Sequence, residues 1–187
     1  MSRSSEIGYT RRDLFMRSRA NKTEPAPVIT HILPWATSDD IADKCTGCGD
    51  CVSACQEQII VLASANCASV NFDKGECTFC GDCASACSEG VFWEEDIRAV
   101  EKPWQGLATA HDGCFAHKGI VCEVCKDQCP EAAIKFRPQL GAVAIPEIEE
   151  EKCTACGACV ATCPSQAMKV HFAAPVSEAH KEEGASA

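Results

Sequence analysis

A chain of 187 residues is long enough for one or two small domains, and a net charge of −10 is too acidic for a nucleic-acid surface, which needs basic groups against phosphate. Seventeen residues are cysteine, a density that in a short secreted protein would mean a disulfide scaffold. The sequence shows no apolar run of signal-peptide length near its start and none close to the ~18 residues of a membrane helix, so the thiols read as ligands in a reducing, cytoplasmic compartment.

In chain order, residues 1–35 come first as a basic arm. Residues 1–24 hold six basic and three acidic side chains, which puts +3 on the arm and −13 on the remainder. Pro25, Pro27 and Pro34 interrupt the stretch and no hydrophobic period is sustained, so a flexible segment is expected over 1–35. Its "TRRDLFMRSR" (10–19) begins like a twin-arginine export signal, with Arg11 and Arg12 as the pair. The following "RSRANKTEPAPV" is charged and proline-broken where an apolar segment should stand. Two readings stay open: an ordinary basic tail, or a tail that imitates a signal and docks a partner through Arg11 and Arg12.

Four cysteine groups follow. Cys45, Cys48, Cys51, Cys55, then Cys77, Cys80, Cys83, Cys87, and finally Cys153, Cys156, Cys159, Cys163 share the spacing Cys-x2-Cys-x2-Cys-x3-Cys. The third group differs, reading Cys114-x7-Cys122-x2-Cys125-x3-Cys129. Counted at Cys48, Cys80, Cys125 and Cys156, the groups stand 32, 45 and 31 residues apart, which is the rhythm of two pairs. This predicts a first unit over 36–96, a linker over 97–110 around Pro103 and Gly106, a second unit over 111–172, and a disordered tail, "AAPVSEAHKEEGASA", over 173–187.

Each group is followed by an apolar residue five past its last cysteine: Ile60, Phe92, Ile134 and Met168. Seven past stand Leu62, Phe136 and Val170, with Glu94 the exception. A step of two predicts a short strand with one face inward. Further strands are expected at "SVNF" (69–72) and "GAVAI" (141–145), and a helical turn between the third and fourth cysteines of each group. The fold class is α+β: two tandem units, each around two metal sites, between flexible tails.

The three regular quartets match the bacterial ferredoxin run for [4Fe–4S] clusters. Two-residue gaps let one tight loop reach three corners of a cubane, and Gly47, Gly49, Gly81 and Gly157 let its amides turn inward. In two-cluster ferredoxins the fourth cysteine serves the other cluster. That crossing groups Cys45, Cys48, Cys51 with Cys87, and Cys77, Cys80, Cys83 with Cys55. It likewise groups Cys153, Cys156, Cys159 with Cys129, and leaves Cys114, Cys122, Cys125 with Cys163. Zinc also takes Cys-x2-Cys pairs, but a single ion uses two pairs across a spacer, not packed quartets. For the irregular group three readings stand: a fourth [4Fe–4S] cluster, a three-iron or labile cluster, or redox-active thiols.

The remaining residues read more plainly. Cys67 is expected to be a small buried side chain, His117 a surface histidine in the irregular loop, and His31, His111, His171 and His180 loop or solvent residues. Phe72, Phe92, Trp93 and Phe136 are expected as core against the clusters. No Gly-rich phosphate loop or nucleophile–base pair is found, so one-electron storage and transfer is the expected chemistry, without a catalytic site.

The arginine-pair start, "VNFDKGECTFCGDCASAC", "CEVCKDQCPEAAIKFRP" with its upstream cysteine, and the closing "CTACGACVATCP" together resemble the ferredoxin-type NapF family of bacterial periplasmic nitrate reductase systems. The resemblance implies a cytoplasmic accessory protein that binds the catalytic subunit of that reductase before export and assists its maturation or iron–sulfur centre assembly. The other function left open is a polyferredoxin electron carrier between cytosolic or membrane-associated redox partners. Gln56 and Ser88 depart from the polyferredoxin pattern, in which proline often follows the fourth cysteine.

Overall fold

The computed structural model describes residues 32–172. The cysteine loops dictate most of its helices. In the regular groups a left-handed glycine stops the loop and starts a helical turn: Gly49 before α2 (Asp50–Ala54), Gly81 before α3 (Asp82–Ser85) and Gly157 before α6 (Ala158–Ala161). The irregular group starts α5 (Val124–Asp127) from Glu123 at φ −126 instead. Two longer helices lie outside the groups. α1 (Ser38–Lys44) is capped by Thr37, whose Oγ1 accepts from the Asp40 amide at 3.0 Å, and α4 (Glu95–Val100) follows the second group.

Among the described residues six strands form three antiparallel pairs. β1 (Ile60–Leu62) pairs with β2 (Ala68–Val70), with Ile60 opposite Val70. β4 (Ile134–Gln139) pairs with β5 (Ala142–Ile148), with Phe136 opposite Pro146. β3 (Gly106–Ala110) pairs with β6 (Met168–Phe172), placing Ala108 opposite Val170 and joining the two ends of the second unit. The strands expected near 69–72 and 141–145 are thus present, as are those after the first, third and fourth groups. After the second group no strand forms among the described residues: 91–94 is irregular with a bend at Phe92, where Glu94 interrupts the apolar alternation.

Two stretches read as unstructured are ordered. Residues 32–35, the end of the expected arm, lie in the core: Leu33 is 1% exposed and Pro34 and Trp35 are buried. Ile32 is tied to β2, its amide donating to Ser69 Oγ at 3.1 Å and its carbonyl accepting from the Val70 amide at 2.9 Å. The Trp93 amide donates to the Trp35 carbonyl, so this segment closes the first unit much as β3 closes the second. The 97–110 segment, expected as a linker, contains the end of α4 and all of β3. The rest of the arm and the 173–187 tail, with Arg11, Arg12, His31 and His180, lie outside the described residues.

The core has two centres. Leu33, Ile41, Ile59, Ile60, Ala68, Phe72 and Val91 fill the first, and Ala108, Ile134 and Met168 the second, with Val160 and Val170 packing against both. A cluster of rings joins them. Trp104 meets Phe72, Phe79 and Phe172 edge-on at centroid distances of 5.9, 5.6 and 5.2 Å, and its Nε1 donates to the Thr154 carbonyl at 2.9 Å. Phe72 stacks on Phe172 and fills the space beside Gly157, where an added Cβ would fall 1.9 Å from a Phe72 ring carbon.

Gly157 therefore serves both the turn and the packing, with φ +89 and no room for a side chain. Gly157→Ala is expected to destabilise the protein by at least the ~1–2 kcal/mol of a left-handed non-glycine residue. At roughly 2–4 °C per kcal/mol for a chain of this size, thermal melting followed by circular dichroism reads the loss. An unchanged midpoint would contradict the packing described.

Candidate iron–sulfur site

The loop carrying the first three cysteines of each regular group is built from two left-handed residues around the second. They are Gly47 and Gly49 around Cys48, Phe79 and Gly81 around Cys80, and Ala155 and Gly157 around Cys156. Such alternation turns successive amides to one side, as an anionic cluster requires. Phe79 and Ala155 stand at φ 57 and 56 where the first group has glycine; Ala155 is a small loop residue of the kind the spacing calls for, and Phe79 is not. The third cysteine is the second residue of each helix, and Cys51, Cys83, Cys125 and Cys159 are all buried. By this register Cys125 corresponds to Cys51, not to Cys48, so Cys122 holds the second place and the first falls to Cys114.

A second recurrent turn follows the last cysteine. Three residues on, Gln58, Gly90, Ala132 and Gln166 all have positive φ. The amides of Gln58, Ala132 and Gln166 each donate to the carbonyl of that cysteine at 3.1 Å. Cys55, without a following proline, makes the same turn as Cys129 and Cys163, which precede Pro130 and Pro164. The departure at Gln56 therefore leaves the turn after Cys55 in place. One residue beyond it, the amides of Ala133 and Ala167 donate to Cys129 Sγ and Cys163 Sγ, each at 3.3 Å.

The thiols gather across groups. Cys45, Cys48, Cys51 and Cys87 line one cavity of about 350 Å³, its open mouth included. Cys55, Cys77, Cys80 and Cys83 line a second of about 400 Å³, and Cys129, Cys153, Cys156 and Cys159 a third of about 340 Å³. Around Cys125 stand Cys114, Cys122 and Cys163, so the irregular loop returns Cys114 to its own group. Among the described residues no three cysteine, histidine or carboxylate side chains converge as they would on one metal ion. The thiols surround spaces, as donors to the separate corners of a cluster must. Four thiols around a cavity, with an amide directed at the Cys129 sulfur in the third cavity, fit a [4Fe–4S] group.

Electrostatics shows what these cages require. Burial pushes the Cys51 thiol up to about 11, with Cys45, Cys87 and Cys48 adding to the rise. Burial likewise raises Cys83 and Cys159 to about 12 and Cys125 to about 11, again helped by neighbouring thiols. Thiolates crowded there are costly without a cationic partner, and iron supplies one. Cys163 moves the other way: burial would raise it, but hydrogen bonds from the Ser165 hydroxyl and from the Met168, Ala167 and Ser165 amides bring it below its ordinary value.

Other candidates have plainer settings. Cys67 is 5% exposed and faces the Ala65 carbonyl. His117 is exposed in the irregular loop. His111 and His171 are exposed, with their Nε2 atoms 3.3 Å apart. Phe72, Phe92 and Phe136 pack in or against the two core centres. Trp104 was missed, although a tryptophan between Pro103 and Gly106 was the one aromatic signal in the supposed linker.

A model of the 4Fe-4S dicluster domain matches residues 44–91 and 118–167, so the fold and its thiol quartets define a [4Fe–4S] dicluster protein with two such regions. The chain belongs to the family of the ferredoxin-type protein NapF. It is 42% identical over 139 residues to that protein of Haemophilus influenzae, covering 74% of this chain and 77% of the relative. It is 36% identical over 140 residues to that of Escherichia coli K12, covering 74% and 83%. The methylamine utilization ferredoxin-type protein MauM of Methylorubrum extorquens is 34% identical over 139 residues, covering 67% and 63%. The second dicluster match begins after Cys114, whose place rests on the loop that brings it beside Cys125. No helix among the described residues is long and apolar enough to cross a membrane.

Proposed function

We propose that this is a cytoplasmic iron–sulfur accessory protein that binds the catalytic subunit of periplasmic nitrate reductase before its export and assists maturation or iron–sulfur centre assembly. Membership of the NapF family carries this reading. It holds four [4Fe–4S] groups in the crossed quartets, and these groups supply one-electron storage and transfer. The chain contributes the rest. Gly47, Gly49, Gly81 and Gly157 turn amides inward, the Ala133 and Ala167 amides hold Cys129 and Cys163 by N–H···S bonds, and the core restricts water around the third cysteine of each quartet.

Arg11 and Arg12 are the docking residues in this reading, because their arm imitates the start of an export signal. The holoprotein is expected to retain the signal-bearing catalytic precursor in a pull-down. Deleting residues 1–24 is expected to abolish that binding while iron content stays unchanged. A protein that fails to bind the precursor yet exchanges electrons rapidly with a quinol-oxidising membrane subunit is instead a carrier. The contact between the two units at Cys77 and Cys156 favours that second reading.

A further inference from the structure

The two dicluster units meet at their metal-binding loops. The Cys77 amide donates to the Cys156 carbonyl at 2.8 Å, so a ligand position of one unit touches a ligand position of the other through the main chain. Cys156 is also among the thiols whose charge Cys77 senses. The seam is fastened on both sides of this contact. Trp104 reaches from the segment between the units to the Thr154 carbonyl and packs on Phe79 of the second group's loop. Phe72 lies against Gly157 of the fourth group's loop and stacks on Phe172. Within each unit the neighbouring quartets are close too, Cys83 sensing Cys51 and Cys159 sensing Cys125.

We propose that this seam makes the two dicluster units a single electron conduit, with the quartet of Cys77, Cys80, Cys83 and Cys55 held against that of Cys153, Cys156, Cys159 and Cys129. The inference rests on the four-cluster reading above and adds an order to it. The quartets of Cys51 and Cys125 are the outer ends, and the other two are the inner pair. With clusters held in the two inner quartets, one electron would pass from a reduced centre on one side of the seam to an oxidised centre on the other, with no proton or atom transferred. The external donor and acceptor are one-electron redox proteins. A ferredoxin of two separately tethered units would need no such contact between ligand loops, nor a tryptophan and three phenylalanines to hold it.

The test uses the full-length holoprotein with Cys48→Ser and Cys122→Ser, which removes one ligand from each outer quartet and leaves the inner pair whole. After reduction with dithionite, electron paramagnetic resonance is read beside an iron count. Expected is about half the parental iron and one interacting spin pair, seen as split, fast-relaxing signals. Half the iron with two independent spins overturns the conduit and leaves the cluster reading standing. A parental protein without iron overturns the reading beneath it. If the double variant retains no iron, hydrogen exchange on the parental holoprotein decides. The Cys77 amide is expected to exchange as slowly as those of β3, at least about tenfold slower than exposed turn amides. Exchange at the exposed rate overturns the seam.

Discussion

Cys55→Ser is expected to remove iron from the second cysteine group and leave the first intact. Cys55 belongs by sequence to the loop of Cys45, Cys48 and Cys51, but the fold carries it along α2 and delivers it to the cavity of Cys77, Cys80 and Cys83. Cys87 makes the opposite crossing and joins the first loop. The packing of α2 against α3 brings both crossings about, since each fourth cysteine leaves its helix towards the other loop. Iron should fall from about sixteen to about twelve atoms per chain, the loss of one [4Fe–4S] group. The spectrum of the reduced variant should match that of Cys80→Ser and differ from that of Cys48→Ser. A Cys55→Ser protein indistinguishable from Cys48→Ser would mean that each group holds its own cluster.

Removal of iron is expected to unfold both units. Helices of four to seven residues fall well short of the ~12–15 that are marginal in isolation, and the strands occur only in pairs. What holds these pieces at their angles is the set of thiols drawn to common centres. With the metal gone, Cys51, Cys83, Cys125 and Cys159 must carry protons, because burial has raised all four thiols. Iron therefore competes with protons for these sulfurs, and falling pH shifts the competition towards protons, so chelation should proceed faster in mild acid than at neutral pH. Far-ultraviolet circular dichroism after chelation should resemble that of a denatured chain. A native spectrum from iron-free protein would show that the apolar core suffices on its own.

Much of this fold is written in the cysteines. Their spacing foretells the helical turn at each third cysteine, and the apolar step of two after them marks β1, β4 and β6. β3 escaped because "GLATA" buries only small residues: its inward face is Ala108, flanked by Gly106 and Ala110, and small side chains leave no visible hydrophobic period. Its partner β6 lies some sixty residues away, so nothing local announces the pairing. Residues 32–35 were lost for a related reason, since Pro34 and its neighbours look like loop and are held by long-range bonds to Ser69, Val70 and Pro103. The left-handed turn after each fourth cysteine was hidden because Gln58, Ala132 and Gln166 adopt it without being glycine. In the candidate site, the crossed grouping of thiols around each cavity was legible in the spacing and the seam was not, because Trp104, Phe72 and Gly157 meet only once both units have folded.

The pairing of β3 with β6 also sets a timetable for biosynthesis. Domains fold largely in the order in which they leave the ribosome, and the first unit closes on itself once Trp35 has met Trp93, Glu101 and Pro103. The second cannot close until Phe172 has been made to pair with Gly106. Through that interval Trp104 and Phe72 have no Thr154 or Gly157 to rest on, and the nascent chain presents a finished unit with an exposed aromatic face. Were iron supplied during translation, the quartets of Cys51 and Cys83 would be the first able to take it.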